Sequence, residues 1–239
     1  MEASILCGGE GTRLRPLTYV VPKPLLPIGS KPILEVMINR MREQGFHRFY
    51  LMVNYKSDMI RSYFGDGSNF GVSIEYLEEQ TRRGTAGPLS VLKDRVKSNL
   101  LVMNSDLLTD LRFKNLIQSH QKWGADLTVA LKKFNRKIAY GVVDIGEDSR
   151  VTRLREKPDL DFLINSGIYV LSPNVLSLIP DEDEFQMTDL IEKALENNQG
   201  VFGYIFTETW IDIGRLDDYM KTMGDLEDGG NNDTDRIFV

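Results

Sequence analysis

The residues best suited to chemistry lie at the amino end of the chain. Gly8, Gly9 and Gly11 fall within four positions, followed by Thr12, Arg13 and Arg15, and then by Lys23 between Pro22 and Pro24. Glycine lets a backbone approach a ligand closely and take up positive φ, so successive N–H groups can converge on an anion. Arg13, Arg15, Lys23 and Lys31 add fixed positive charge, and from Glu10 to Lys31 the single acid is Glu10 itself. The stretch reads as a cradle for a nucleoside triphosphate. It is not a dinucleotide fingerprint, because the third glycine position after Gly9-Glu10-Gly11 holds Leu14, and no segment supplies a Walker loop. The plain alternative is a glycine turn from strand to helix with solvated arginines.

Other candidates are weaker when taken singly. Asp106 and Asp212 each end an apolar stretch, and from spacing alone such aspartates read as turn or helix caps. Glu156-Lys157-Pro158 is a charged pair of a kind common on surfaces. His47 and His120 are far apart and lack ligand spacing, so surface or core roles suit them. Cys7 reads as a small buried packing residue, and Trp123 as packing.

Taken in order, the motifs resemble those of the sugar-1-phosphate nucleotidyltransferases. Gly8-Gly9-Glu10-Gly11-Thr12-Arg13-Leu14-Arg15-Pro16-Leu17-Thr18 and Pro22-Lys23-Pro24 carry the resemblance first. Gly84-Thr85-Ala86-Gly87, Asp106, Gly141, Glu156-Lys157-Pro158, Asn165-Ser166-Gly167-Ile168-Tyr169 and Trp210-Ile211-Asp212-Ile213-Gly214 continue it in family order. The Gly84-Thr85-Ala86-Gly87-Pro88-Leu89 wording is similar to that of mannose-1-phosphate guanylyltransferase-like members.

The resemblance implies nucleotidyl transfer from a nucleoside triphosphate to a sugar 1-phosphate, with release of pyrophosphate. It places Arg13 and Lys23 at the reacting phosphates and assigns Asp106 and Asp212 to Mg2+. Leu6, Gly8, Gly9, Gly11, Thr12, Glu79 and Gly84 become nucleotide-binding residues, with Gln80 a second candidate beside Glu79. Gly141, Glu156, Lys157 and Asn165 become sugar-phosphate residues, and Trp210 a wall of the sugar pocket. A carboxylate at position 79 can accept from the N1–H and amino group of guanine, which favours GTP. Two departures stand out: Ser105 occupies a position usually held by glycine, and Cys7 one usually held by alanine. Two rivals remain open. One is transfer to another phosphomonoester, such as phosphocholine with CTP. The other is a non-catalytic, nucleotide-sugar-binding regulatory subunit.

The rest of the chain must position these groups. Its 239 residues, 41% hydrophobic, suit one large α/β domain able to bury a core without disulfides or metals. A single cysteine excludes an internal disulfide and fits a reducing, cytoplasmic setting. No leader is evident at the start and no apolar run reaches membrane-spanning length. The net charge of −6 argues against nucleic acid as a bulk partner, and a homo-oligomer is left open.

Strands are expected at residues 3–6, 49–53, 72–77 and 100–103. They alternate with helices capped by Ser30, near 59–64, and from about Pro88. In the second half, strands at 127–133, 139–145, 151–155, 168–171 and 201–206 have fewer helices between them, apart from one near 185–195 and a closing helix at 215–226. The alternation predicts a Rossmann-like, GT-A-like, mostly parallel mixed sheet with helices on both faces. One domain spans residues 1–226, with its nucleotide half near 1–125 and its sugar-phosphate half near 126–226. A flexible tail is expected at 227–239.

Overall fold

The structure, a computed structural model, describes residues 1–78 and 81–228. The chain opens with β1 (Glu2–Leu6), a two-residue hairpin of β2 (Pro27–Ile28) and β3 (Lys31–Pro32), and α1 (Ile33–Glu43). β4 (Arg48–Val53), α2 (Ser57–Phe64), β5 (Ser73–Glu78), β6 (Leu100–Asn104), β7 (Leu107–Thr109) and α3 (Phe113–Trp123) complete the first half. The second half holds β8 (Leu127–Lys137), β9 (Val142–Ile145), β10 (Val151–Arg155), β11 (Asp159–Leu171) and α4 (Pro173–Leu176). It closes with α5 (Met187–Glu196), β12 (Val201–Phe206), β13 (Trp210–Asp212) and α6 (Leu216–Asp228).

Seven strands form one sheet in the order β12-β8-β11-β6-β1-β4-β5. β11 runs antiparallel to both of its neighbours, and every other adjacent pair is parallel. The mostly parallel mixed sheet read from the alternation is therefore present, and it runs through both halves of the chain. The central strands are apolar at successive positions because both their faces are covered. In β6, Leu101 and Met103 join the core beneath α1, α2, α3 and α6, while Leu100 and Val102 join the core beneath α4 and α5. Each leucine or isoleucine buried in this way contributes about 1.5–3 kcal/mol by leaving water. Among the described residues no helix is long and apolar enough to cross a membrane.

Beyond the sheet, β8 and β11 continue as a two-stranded ribbon, Lys133 pairing with Leu163 and Lys137 with Asp159. The β9–β10 hairpin lies between them in the chain. This arm is far longer than the strand expected at 168–171, because polar and charged side chains on an exposed ribbon hide the period that marks a strand.

Several local expectations need correcting. Ser30 does not cap α1: it sits in the hairpin turn behind Gly29, whose φ is 60°, and Pro32 precedes the helix with no side-chain cap. The segment after Pro88 is a 3₁₀ run, Gly87–Leu92, and not an α-helix. The strand expected at 139–145 begins only at Val142. Phe206 does not end the last strand, since β13 follows and pairs with β7. The closing helix runs on to Asp228, past the boundary expected for the tail, and the remainder of that tail lies outside the described residues.

Candidate active site

The glycine loop leaves β1 at Leu6, and the Cys7 N–H still donates to the Met52 carbonyl at 2.8 Å. Gly11 then turns the chain at φ 63°, where a β-carbon would lie 2.8 Å from Thr18 Cγ2. The Thr18 hydroxyl closes the turn by donating to the Gly11 carbonyl at 2.8 Å. The 3₁₀ turn Thr12–Leu14 follows, with Leu14 sunk in the core. Gly9 faces open space on the side where a β-carbon would project. Backbone bareness is thus used in two ways: to make the turn at Gly11 and to leave the cleft clear at Gly9.

A further 3₁₀ turn, Lys23–Leu25, carries Lys23 inward. Its flanking prolines narrow the backbone choices and so limit where the ammonium points. The lysine is buried and ion-paired with Asp106 Oδ2. Asp106 lies in the turn joining β6 to β7. The Ser105 N–H donates to the Leu6 carbonyl at 3.3 Å and the Ile213 N–H to the Asp106 carbonyl at 2.9 Å. The second bond brings the end of β13 alongside, with Asp212 in register with Leu107.

A cleft of about 580 Å³ opens here at the carboxyl ends of β1, β4 and β6. Leu6, Gly8, Gly9, Gly11, Thr12, Arg13, Lys23, Gly84 and Asp106 all line it, as does Gly214. Ligands of open α/β sheets bind at that end of the strands. Asp212 is not itself part of the lining, but Gly214 links it to the cleft. A β-carbon on Gly214 would stand 3.2 Å from Asp212 Oδ1 and 3.6 Å from Arg13 Nη2. Burial holds the Asp212 carboxyl above its ordinary pKa, and the charge of Asp106 pushes the same way, against Lys23 and Arg13.

Among the described residues no three carboxylate, histidine or cysteine side chains group as metal ligands, so a divalent cation here would have two protein ligands. Asp106 Oδ1 is buried and has no hydrogen-bond partner, while its other oxygen faces Lys23. An orphaned carboxylate oxygen beside a second, partly desolvated carboxylate is the donor set that Mg2+ accepts, with water and phosphate oxygens supplying the rest. Asp106 and Asp212 would hold it.

The sugar-phosphate candidates lie apart from that lining. A β-carbon on Gly141 would sit 3.1 Å from Glu156 Oε2, and Lys157 Nζ is 4.0 Å from Glu156 Oε1. Lys157 adopts φ 43°, the left-handed region that a lysine rarely enters. Asn165 accepts from the Gly167 N–H at 3.0 Å, within a register shift of β11. Gly167 is the bridge: a β-carbon there would meet Asn104 Nδ2 at 2.6 Å, and Asn104 lines the cleft. Gly141, Glu156 and Lys157 therefore form one group and Asn165 another, nearer the cleft. Trp210 points its indole N–H at the Ser166 carbonyl, 3.0 Å away, and is not in the lining.

Two basic residues of the loop do other work. Arg15 pairs with Glu10 at 3.2 Å and Lys31 with Glu35 at 4.0 Å, and neither lines the cleft. Glu79 and Gln80 lie outside the described residues. Cys7 is buried as expected, and burial pushes its thiol pKa well up despite a hydrogen bond with Ser105. His120 is buried with its Nδ1 2.8 Å from the Thr128 hydroxyl and does not line the cleft.

Asn54, Arg82, Asn104 and Gln186 also line the cleft and were not singled out by motif. Asn54 and Asn104 had a weak signal, as polar residues at or just beyond the ends of apolar strands. Gln186 had none, because it arrives from a segment about a hundred residues downstream of the loop it touches.

Residues 2–229 match the family described as nucleotidyl transferase, and the chain belongs to that family. It is 34% identical over 230 residues to the D-glycero-alpha-D-manno-heptose 1-phosphate guanylyltransferase of Aneurinibacillus thermoaerophilus, covering 95% of this chain and 99% of that protein. It is 33% identical to the mannose-1-phosphate guanylyltransferase of Mycobacterium tuberculosis, covering 96% of this chain and 65% of that protein. Identity to the UTP–glucose-1-phosphate uridylyltransferase of Synechocystis is 31%, over 93% of this chain and 62% of that protein. The chain thus spans a little under two thirds of the length of the last two relatives. Among solved structures, HddC from Yersinia pseudotuberculosis matches with a TM-score of 0.72 at 28% identity, covering 93% of this chain and 98% of that one. HddC has also been solved in complex with GMP-PN.

Proposed function

We propose that the chain condenses a nucleoside triphosphate, GTP in preference, with a sugar 1-phosphate to give a nucleotide sugar and pyrophosphate. The observation that carries this is the meeting of Arg13, Lys23 and Asp106 on one glycine-lined cleft, with Asp212 near enough to feel the charge of Asp106. The relatives named as guanylyltransferases, and the GMP-PN complex of HddC, support the choice of GTP.

The chemistry needs positioning and charge more than proton transfer. A sugar phosphate has its second pKa near about 6 and is mostly dianionic at neutral pH, so its oxygen attacks the α-phosphorus without a general base. The bond to the β-phosphate oxygen breaks in line, and pyrophosphate leaves with the electron pair. Backbone N–H groups from Gly8 to Thr12 cradle the triphosphate, as oriented amides do for anions elsewhere. Arg13 and Lys23 lower the repulsion between the two polyanions and hold attacking and leaving groups in line. Mg2+, held by Asp106 and Asp212, supplies further charge neutralisation when bound. Gly141, Glu156, Lys157 and Asn165 bind the sugar phosphate: the carboxylate accepts from hydroxyls and the ammonium meets the phosphate.

The test is a matrix of four nucleoside triphosphates against a panel of sugar 1-phosphates and phosphocholine, read as pyrophosphate release. The reading predicts release with GTP and at least one sugar 1-phosphate. Release confined to CTP with phosphocholine would replace the acceptor class, and no release with any pair would overturn the catalytic reading.

A further inference from the structure

The Gly84–Thr85 side of the cleft is held by the start of α5, from the other half of the chain. The Phe185 N–H donates to the Arg83 carbonyl at 3.0 Å, and the Phe185 carbonyl accepts from the N–H groups of Ala86 and Gly87, both at 2.9 Å. Gln186 Oε1 accepts twice from Thr85, once from its N–H and once from its hydroxyl, both at 3.2 Å. Thr85 Oγ1 in turn accepts from the Met187 N–H at 2.8 Å. Gly84 has φ 77°, and a β-carbon on it would lie 2.6 Å from the Phe185 carbonyl and 2.7 Å from Gln186 Nε2. Gly84, Thr85 and Gln186 all line the cleft.

Within this lacing Gln186 is the one side-chain amide. Its carbonyl end fixes Thr85, and its amino end donates to Glu184 Oε1 at 3.0 Å. Its backbone is secured separately, because its N–H donates to Asp189 Oδ2 at 2.7 Å. The Gln186 side chain also accepts from the Asp189 N–H, so its removal leaves one half of the α5 capping box, the Gln186 N–H to Asp189 bond, and takes away the other half together with the Thr85 and Glu184 contacts.

We propose that Gln186 is a positioning residue for the Gly84–Thr85 end of the cleft, the end that the family resemblance sets beside the nucleobase. By fixing the Gly84–Thr85 loop from across the chain, it sets nucleotide affinity and the choice between bases. The inference rests on the nucleotidyltransferase reading of the cleft. It predicts a division of labour: the phosphate end is set by the amino-terminal loop, and the base end is tuned by a residue of the sugar-phosphate half.

The experiment pairs calorimetric binding of GTP and UTP with steady-state kinetics for wild type, Gln186→Ala, the Gln186→Glu, Glu184→Gln double variant and Thr85→Val. Two neutral hydrogen bonds at their usual worth predict a rise of about five- to thirtyfold in Kd and KM for GTP in Gln186→Ala. The ratio of GTP to UTP affinity moves towards one, while kcat and the KM for sugar 1-phosphate stay within about twofold. Gln186→Glu alone would set a carboxylate where the amide now donates to Glu184 Oε1, so it is combined with Glu184→Gln, and this double variant keeps both acceptor contacts and recovers most of the GTP affinity. Thr85→Val loses the hydroxyl contacts and behaves like Gln186→Ala, which gives a second route should one variant fold poorly. Wild-type affinities and base ratio in Gln186→Ala would overturn the inference, as would equal impairment of Gln186→Ala and the Gln186→Glu, Glu184→Gln double variant. A wild type that binds nucleotide but releases no pyrophosphate would defeat the catalytic reading while the binding data still decide the role of Gln186. A wild type that binds no nucleotide would overturn both.

Discussion

The two charged sets of this molecule are built on opposite principles. At the glycine loop, the side chains of Lys23 and Asp106 are 11% and 18% exposed. On the antiparallel arm, Lys157 and Glu156 are 62% and 70% exposed, with their charged atoms 4.0 Å apart. An exposed pair at that separation contributes about 0–1 kcal/mol and imposes little order. A largely buried pair interacts strongly, and loss of one partner strands the other in a poor solvent. The contrast shows where preorganisation resides. The charged groups of the cleft are held in place by the protein itself, whereas on the proposed reading those of the arm would gain their geometry from the sugar phosphate.

That contrast can be broken at either end. Lys23→Met should have the largest effect. It removes a cation from the reacting centre and should lower kcat/KM by about a hundredfold to a thousandfold. It also leaves Asp106 without its counter-charge, so urea denaturation should show a loss of up to about 3–5 kcal/mol. Equal activity and stability in the variant would mean that the buried pair is not part of a prepared site.

Glu156→Ala should act more narrowly. Loss of charge-assisted hydrogen bonds should raise the KM for sugar 1-phosphate by about ten- to a hundredfold. Stability should stay within about 0.5 kcal/mol, as for other exposed substitutions, and the KM for nucleotide should be unchanged. A variant that weakens nucleotide binding as much as sugar-phosphate binding would erase the proposed boundary between the two ends.

The same contrast governs what could be read from the sequence. The shared place of Lys23, Arg13 and the glycines on one cleft was legible because backbone freedom and charge are concentrated within one short stretch. Asp106 needed the resemblance, because an aspartate after an apolar strand reads by itself as a cap. Asp212 needed the resemblance, since its approach depends on the pairing of β13 with β7. The length of β8 and β11 was hidden, because an exposed ribbon of lysines, asparagines and aspartates lacks the apolar alternation that marks a strand. Ser30 looked like a helix cap, but Gly29 beside it made a hairpin turn the better use of the pair. Gln186 was out of reach because its contact with Thr85 spans about a hundred positions and has no local pattern.

The central claim is that fixed cations and a pair of carboxylates at the sheet rim cancel the repulsion between two polyanions. Asp106→Asn tests it most directly, because the change preserves shape and removes one charge. Pyrophosphate release from GTP and an accepted sugar 1-phosphate should fall by at least about a hundredfold in this variant. Release at the wild-type rate would contradict the claim.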